Sequence, residues 1–111
     1  MSRTQENIYN EARAAGIATA QKQNAALPNE NSRGFDCGFA WVIVRPARGH
    51  FVEWCKANGH GRKGYEPGWH FWYSEFSIGT QSVSVHEAAA EAFAAVLVKH
   101  GLKAIVGSRL D

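Results

Sequence analysis

The run Gly-Phe-Ala-Trp-Val-Ile-Val-Arg at residues 38–45 is apolar on both faces of a two-residue alternation. Phe39, Trp41 and Ile43 fall on one side; Ala40, Val42 and Val44 fall on the other. A strand with two apolar sides belongs inside a sheet, with material covering each face. Pro46 stops it. Any fold for this chain must therefore be built around a sheet with this segment in its interior.

The flanking segments supply the covering layers. A helix is predicted from near Thr4, with Ser2 and Gln5 spaced as a capping box. Ile8, Ala12 and Ala15 form its thin stripe of mostly small residues, flanked by Tyr9. Gly16 followed by Ile17 offers a glycine C-cap; alternatively the helix runs on to about Gln23 at a cost near 1 kcal/mol. Residues 27–34 read as a loop, being rich in Pro, Asn, Ser and Gly. The chain is thus divided into an N-terminal helical arm and loop (1–33) and an α+β core domain (34–111).

Within the core domain, a short helix is expected from Pro46 to about Asn58, burying Phe51, Trp54 and Cys55, with Gly59 at its end. Residues 59–68 form a glycine-rich basic loop. A second strand is expected over 69–76, with Trp69, Phe71 and Tyr73 on one face and His70, Trp72 and Ser74 on the other. Residues 78–80 read as a turn into a third short strand, 81–83. Ser84 and Glu87 are spaced as a capping box for a helix whose stripe is Ala89, Ala92, Phe93, Val96 and Leu97. Gly101 ends that helix, with Leu102 placed against Leu97 in a Schellman motif, and Lys99 and His100 suit its negative end. A last strand over 103–106 leads to a tail. The order α-β-α-β-β-α-β predicts an α+β fold, a small mixed sheet of three to four strands packed with helices.

Composition limits the function classes. An apolar share of 45% with 20% charged residues is ordinary for a soluble domain, and no apolar run reaches the length of a membrane span. The first residues lack the apolar core of a signal peptide, which points to the cytoplasm and to reduced Cys37 and Cys55 acting as small hydrophobes. Charge is unevenly placed. Between Arg45 and Lys63 stand five bases (Arg45, Arg48, Lys56, Arg62, Lys63) against the single acid Glu53, while the whole chain is only +2. All aromatic residues except Tyr9 and Phe93 lie between Phe35 and Phe76, overlapping that cluster. Rings and cations together are what a surface needs to stack bases and neutralise phosphates.

Two arrangements of those rings follow. If the first two strands are neighbours, Phe39, Trp41, Trp69, Phe71 and Tyr73 form one platform, either open for stacking or covered by the N-terminal helix. Ala40, Val42 and Val44 would then face the alanine-rich last helix. The 59–68 loop has the glycines and cations for phosphate contact, but it lacks a P-loop ending and does not follow a strand. Cys37, His50, Cys55 and His60 are spaced by twelve, four and four residues, with no Cys-x-x-Cys anchor, so no metal is expected. His86 and His100 are expected on the surface. A nucleophilic enzyme would need Cys37 or a serine beside a base; the Thr80-Gln81-Ser82 turn, with His70 and Glu75 near in sequence, offers hydroxyls and a base without a recognised spacing. No catalytic residue and no cofactor is assigned.

The stretches Gly34-Phe35-Asp36-Cys37-Gly38-Phe39-Ala40-Trp41-Val42, Pro46-Ala47-Arg48-Gly49, Thr80-Gln81-Ser82 and Ser108-Arg109-Leu110-Asp111 resemble small proteins, of no established activity, encoded by tailed bacteriophages. The likeness spans about residues 34–111. It implies a virus-encoded protein at work in bacterial cytoplasm and favours a binding role. The leading expectation is a nucleic-acid contact through Arg45, Arg48, Lys56, Arg62, Lys63, Tyr65, Trp69 and Trp72. A protein partner in the host is the alternative, since Trp, Tyr and Arg also favour interfaces; imitation of DNA is excluded by the basic surplus. A small enzyme comes third, and a homodimer burying the aromatic platform is a further possibility.

Overall fold

The computed structural model describes residues 2–26, 38–80 and 82–110. Among these residues three helices, α1 (Ser2–Ala26), α2 (His50–Ala57) and α3 (Val83–Lys99), accompany four strands, β1 (Gly38–Arg45), β2 (Arg62–Lys63), β3 (Trp69–Trp72) and β4 (Lys103–Leu110). The element order is the expected α-β-α-β-β-α-β. The sheet order is β2-β3-β1-β4 and every pairing is antiparallel. As its composition requires, β1 lies in the interior, between β3 and β4.

The register decides which side chains meet. Val42 pairs with Phe71 on β3 and Val106 on β4, and Val44 with Trp69 and Ala104. These residues share the core face with Ala40, and α3 packs on β1 and β4 there. Ala89, Ala90, Phe93, Ala94 and Leu97 of α3 are all buried, and small residues on that helix let it approach closely. On α2, Phe51, Val52 and Cys55 are buried while Trp54 stays partly exposed; Phe51 meets Phe71 with ring centroids 6.2 Å apart. Burying these rings and aliphatic groups, at about 25 cal/mol per Å² of apolar surface, is the main drive to fold.

The helix α1 lies along α3 and adds Ile8, Tyr9, Ala12 and Ala20 to the same core. It runs unbroken through Gly16, which is buried and serves a contact rather than a cap. A Cβ there would strike the Phe76 carbonyl oxygen and lie 3.0 Å from Phe76 Cβ and 3.3 Å from the Ala89 carbonyl oxygen. Far along the same pair of helices, Glu11 takes up both Lys99 and His100, the latter at 2.8 Å. Those two hydrogen bonds hold its carboxyl below the usual 4.5. The residues expected to suit the end of α3 are thus also its tie to α1. That end is a Schellman motif as expected: Leu102 N–H donates to Leu97 O at 3.0 Å and Gly101 N–H to Val98 O at 2.9 Å, with Gly101 at φ 88°.

Several expectations need correction. The second strand ends at Trp72, not Phe76. The chain turns there through a 3-10 segment, Tyr73–Glu75, so that Phe76 drives fully into the core against Phe93, centroids 5.0 Å apart. The glycine-rich loop contains a strand, since Arg62 and Lys63 pair with His70 and Trp69. No strand forms at 82–83: Val83 already begins α3, and Gln81 lies outside the described residues. The cap is Ser82, whose hydroxyl accepts Val85 N–H at 3.4 Å, two residues before the expected Ser84 of the Ser84–Glu87 box. Glu87 instead accepts the Ser108 hydroxyl. The 27–34 loop and Cys37 fall outside the described residues.

His86 is also corrected, from surface to core. It is fully buried, its ring tilted at 30° to that of Tyr73 with centroids 4.1 Å apart, with Nε2 2.8 Å from Thr80 O and Nδ1 2.7 Å from Ser77 Oγ. A carbonyl only accepts, so Nε2 carries the proton and Nδ1 accepts from the Ser77 hydroxyl. The pair fastens the 77–80 turn to the start of α3.

Burial also sets a pH limit. Cys55 is enclosed in the core, and burial, then the nearby Glu75 carboxylate, push its thiol from 9.0 up to about 12. Burial, then the hydrogen bond to Glu75, raise the Tyr9 phenol as well. An acid with a raised folded value stabilises the fold fully below its unfolded value and loses that contribution as pH climbs through the folded one. The urea midpoint should therefore hold up to about pH 9 and fall from there toward pH 12. A midpoint that stays flat across that window would contradict this reading of Cys55 and Tyr9.

Candidate nucleic-acid interface

The second sheet face belongs to Phe39, Trp41 and Ile43 of β1, His70 and Trp72 of β3, and Ile105, Gly107 and Arg109 of β4. The register sets Trp41 opposite Trp72 and Gly107, Ile43 opposite His70 and Ile105, and Phe39 opposite Arg109. Among the described residues the helices all pack on the other face, which leaves this one helix-free, and Phe39, Trp41, Trp72 and Ile105 stand outside the core cluster. The expected platform is therefore regrouped. In this antiparallel register odd residues of β1 share a face with even residues of β3, which puts Phe71 and Trp69 on the core side and brings Trp72 to Trp41. Phe71 is fully buried, and Trp69 donates its indole N–H to His60 O at 2.9 Å. Nor does α1 lie across the regrouped face, because it packs along α3.

Trp41 and Trp72 have ring centroids 5.4 Å apart at 49°. Trp41 reaches across β4 because position 107 is glycine: a Cβ there would collide with the indole, lying 2.5 Å from its Cε2. Arg62 stands over Trp72 at 4.9 Å, and Arg109 over Phe39 at 5.8 Å. Each such cation–ring contact contributes about 0.5–1 kcal/mol at an exposed site and keeps the charge beside the ring. The loop 64–68 folds over one end of the face, with His70 Nε2 2.9 Å from Glu66 O. A cleft of about 230 Å³ results, lined by Trp41, Tyr65, Glu66, His70, Trp72 and Arg109 together with Gly64. Tyr65 is fully exposed at its rim.

Of the eight expected site residues, Tyr65 and Trp72 line this cleft, and Arg62 stands beside it over the Trp72 ring. Lys63, Lys56, Tyr65 and Trp69 line a neighbouring cleft of about 370 Å³ on the other side of the hairpin tip. Lys56 sits 5.3 Å from the Trp69 ring but is engaged by Glu53 and Ala47 O, each at 3.2 Å. Arg45 is engaged as well, donating to Pro67 O at 2.7 Å and Glu66 at 3.2 Å. Arg48 is exposed in the turn before α2 and lines neither cleft. Arg109 was not among the expected residues. The alternation of Ala104, Val106 and Ser108 against Ile105, Gly107 and Arg109 carried the signal, but Gly107 and Ser108 read as the start of a tail.

The arrangement offers flat rings, cations beside them and a cleft for a planar group. Among the described residues no cluster of three or more His, Cys, Asp or Glu side chains is placed to hold a metal ion, and no helix is long and apolar enough to cross a membrane. The Ser77–His86 pair joins a hydroxyl to an imidazole, but His86 is enclosed and neither residue lines the two clefts. Compared with known families, curated proteins and solved structures, the chain matches none.

Proposed function

We propose that this chain is a non-enzymatic module that binds single-stranded nucleic acid on the helix-free face of its sheet. One observation carries the reading: the Trp41–Trp72 pair has Arg62 over Trp72 and shares its cleft with Arg109, which stands over the neighbouring Phe39. Unpaired bases stack on such rings while the cations meet phosphates, a division of labour common to sheet-based readers of single strands. Glu66, the carboxylate at the cleft, is offset by Arg45. Set beside the resemblance to small phage-encoded proteins, the role is that of a viral accessory protein acting on nucleic acid in its host's cytoplasm.

The test is a tryptophan-fluorescence titration with single-stranded RNA, single-stranded DNA and duplex DNA at low and moderate salt. Saturable quenching by a single strand, weakening as salt rises, is expected. The doubly reversed Arg62→Glu/Lys63→Glu protein should bind at least tenfold more weakly, with a shallower salt slope. Absence of quenching with all three, or a reversed protein that binds as well as the parent, would sink the assignment.

A second reading, a protein partner, is favoured by a different observation. The eight-residue strand β4 stands at the edge of the sheet, with Ile105 and Leu110 about half and two-thirds exposed. An open edge of that length can accept an added strand. Capture of a host protein that survives nuclease treatment would support it.

A further inference from the structure

A separate cleft of about 420 Å³ opens where α1 passes the start of the β2–β3 hairpin, and Tyr9, Arg13, His60, Arg62, Trp72 and Glu75 line it. The imidazole of His60 packs against two rings, 4.1 Å from Tyr9 and 5.4 Å from Trp54, with both planes close to parallel to its own. Its Nδ1 lies 3.6 Å from Glu75 Oε1. Glu75 is the one carboxylate in the lining, and its oxygens are already engaged: Oε1 accepts the Tyr9 hydroxyl and Oε2 accepts Gly61 N–H, each at 2.8 Å. Arg13 and Arg62 are different. Both line the cleft, and neither is ion-paired with a carboxylate among the described residues.

Among the described residues, two guanidinium groups without a carboxylate partner and an imidazole packed against two rings therefore face one space whose only acid is turned to its own donors. We propose that this cleft binds a phosphomonoester, with Arg13 and Arg62 taking the phosphate oxygens and His60 donating from its ring. Guanidinium forks match the oxygen spacing of phosphate, and two of them match a group carrying close to two negative charges at neutral pH. A carboxylate, with one charge, would leave one arginine unanswered. The volume exceeds that of a phosphate alone, leaving room for the sugar it is attached to. Because Arg62 and Trp72 also belong to the sheet face, the group has two sources: a free nucleotide, or the phosphorylated end of a strand lying across that face. Binding of phosphate here does not depend on oligonucleotide binding there.

The experiment follows the His60 ring signals by NMR in the full chain. The additions are inorganic phosphate, a nucleoside 5′-monophosphate, acetate, and one oligonucleotide with and without a 5′-phosphate. Saturable movement of His60 with phosphate, and none with acetate at equal ionic strength, is expected. Arg13→Gln should weaken phosphate about tenfold, as expected for a lost charge-assisted hydrogen bond, and Arg13→Lys should recover part of it. Arg13 is exposed on α1, so the remainder of the spectrum serves as the check on the fold. Tighter binding of the nucleotide than of inorganic phosphate assigns a small-molecule source; preference for the 5′-phosphorylated oligonucleotide assigns a strand end. An unmoved His60, an equal response to acetate, or full affinity in Arg13→Gln would overturn the site. Loss of oligonucleotide binding with phosphate binding intact would overturn only the sheet-face reading.

Discussion

Gly16→Val is expected to cost this protein about 3 kcal/mol or more, at or above the top of the usual range for overpacking a core. The new Cβ would meet the carbonyl oxygen and Cβ of Phe76 and the carbonyl oxygen of Ala89. Two of those atoms are backbone, so relief requires α1 to move away from Phe76 and α3 rather than a side chain to rotate. Helix propensity acts in the opposite sense, since glycine is the poorest former after proline, but by less than about 1 kcal/mol. Against a typical domain stability of about 5–15 kcal/mol the loss is large. Urea unfolding of Gly16→Ala and Gly16→Val checks it, with alanine smaller in effect and the same in sign. An alanine variant more stable than the parent would show that the close contact is absent.

Trp72→Ala is expected to lower affinity for a single strand by on the order of ten- to a hundredfold, and Trp41→Ala by a similar factor, if each ring carries one stacked base. Trp72→Phe should retain most of the binding, since any flat ring can stack. Trp69→Phe should leave it nearly unchanged, because Trp69 lies on the core side of the sheet. Equal losses at Trp69 and Trp72 would mean that the strand does not follow the helix-free face. All four variants can be compared by fluorescence anisotropy of a labelled oligonucleotide, which does not depend on the tryptophans themselves.

The contrast between Trp69 and Trp72 shows how far the chain could be read unaided. Local patterns were legible: residues 38–45 form a strand over the expected span, Leu102 closes α3 through Leu97, and Ala40, Val42 and Val44 face the helices. What a strand pairs with, and in which register, depends on distant residues. The regrouping of the aromatic face came from that source, because a shift by one residue exchanges the two sides of a strand. Gly16 was ambiguous for the same reason: the partner that requires it is Phe76, sixty residues on. His86 has the position of a first-turn surface residue, and it is the 77–80 turn, through Ser77 and Thr80, that encloses it. The phosphate cleft joins Arg13 of α1 to His60 and Glu75, three positions with no spacing in common. Only packing brings them together.

The tilt between Trp41 and Trp72 carries a consequence of an optical kind. Two indoles with centroids 5.4 Å apart and planes crossed at 49° are close enough for their excited states to mix, and skewed enough for the mixture to be chiral. Such a pair gives a two-signed couplet in circular dichroism, superimposed on the signal of the backbone. The helix-free face thus carries its own gauge. Its amplitude would follow the spacing of two rings and would change when a base slides between them, even where the helices register nothing.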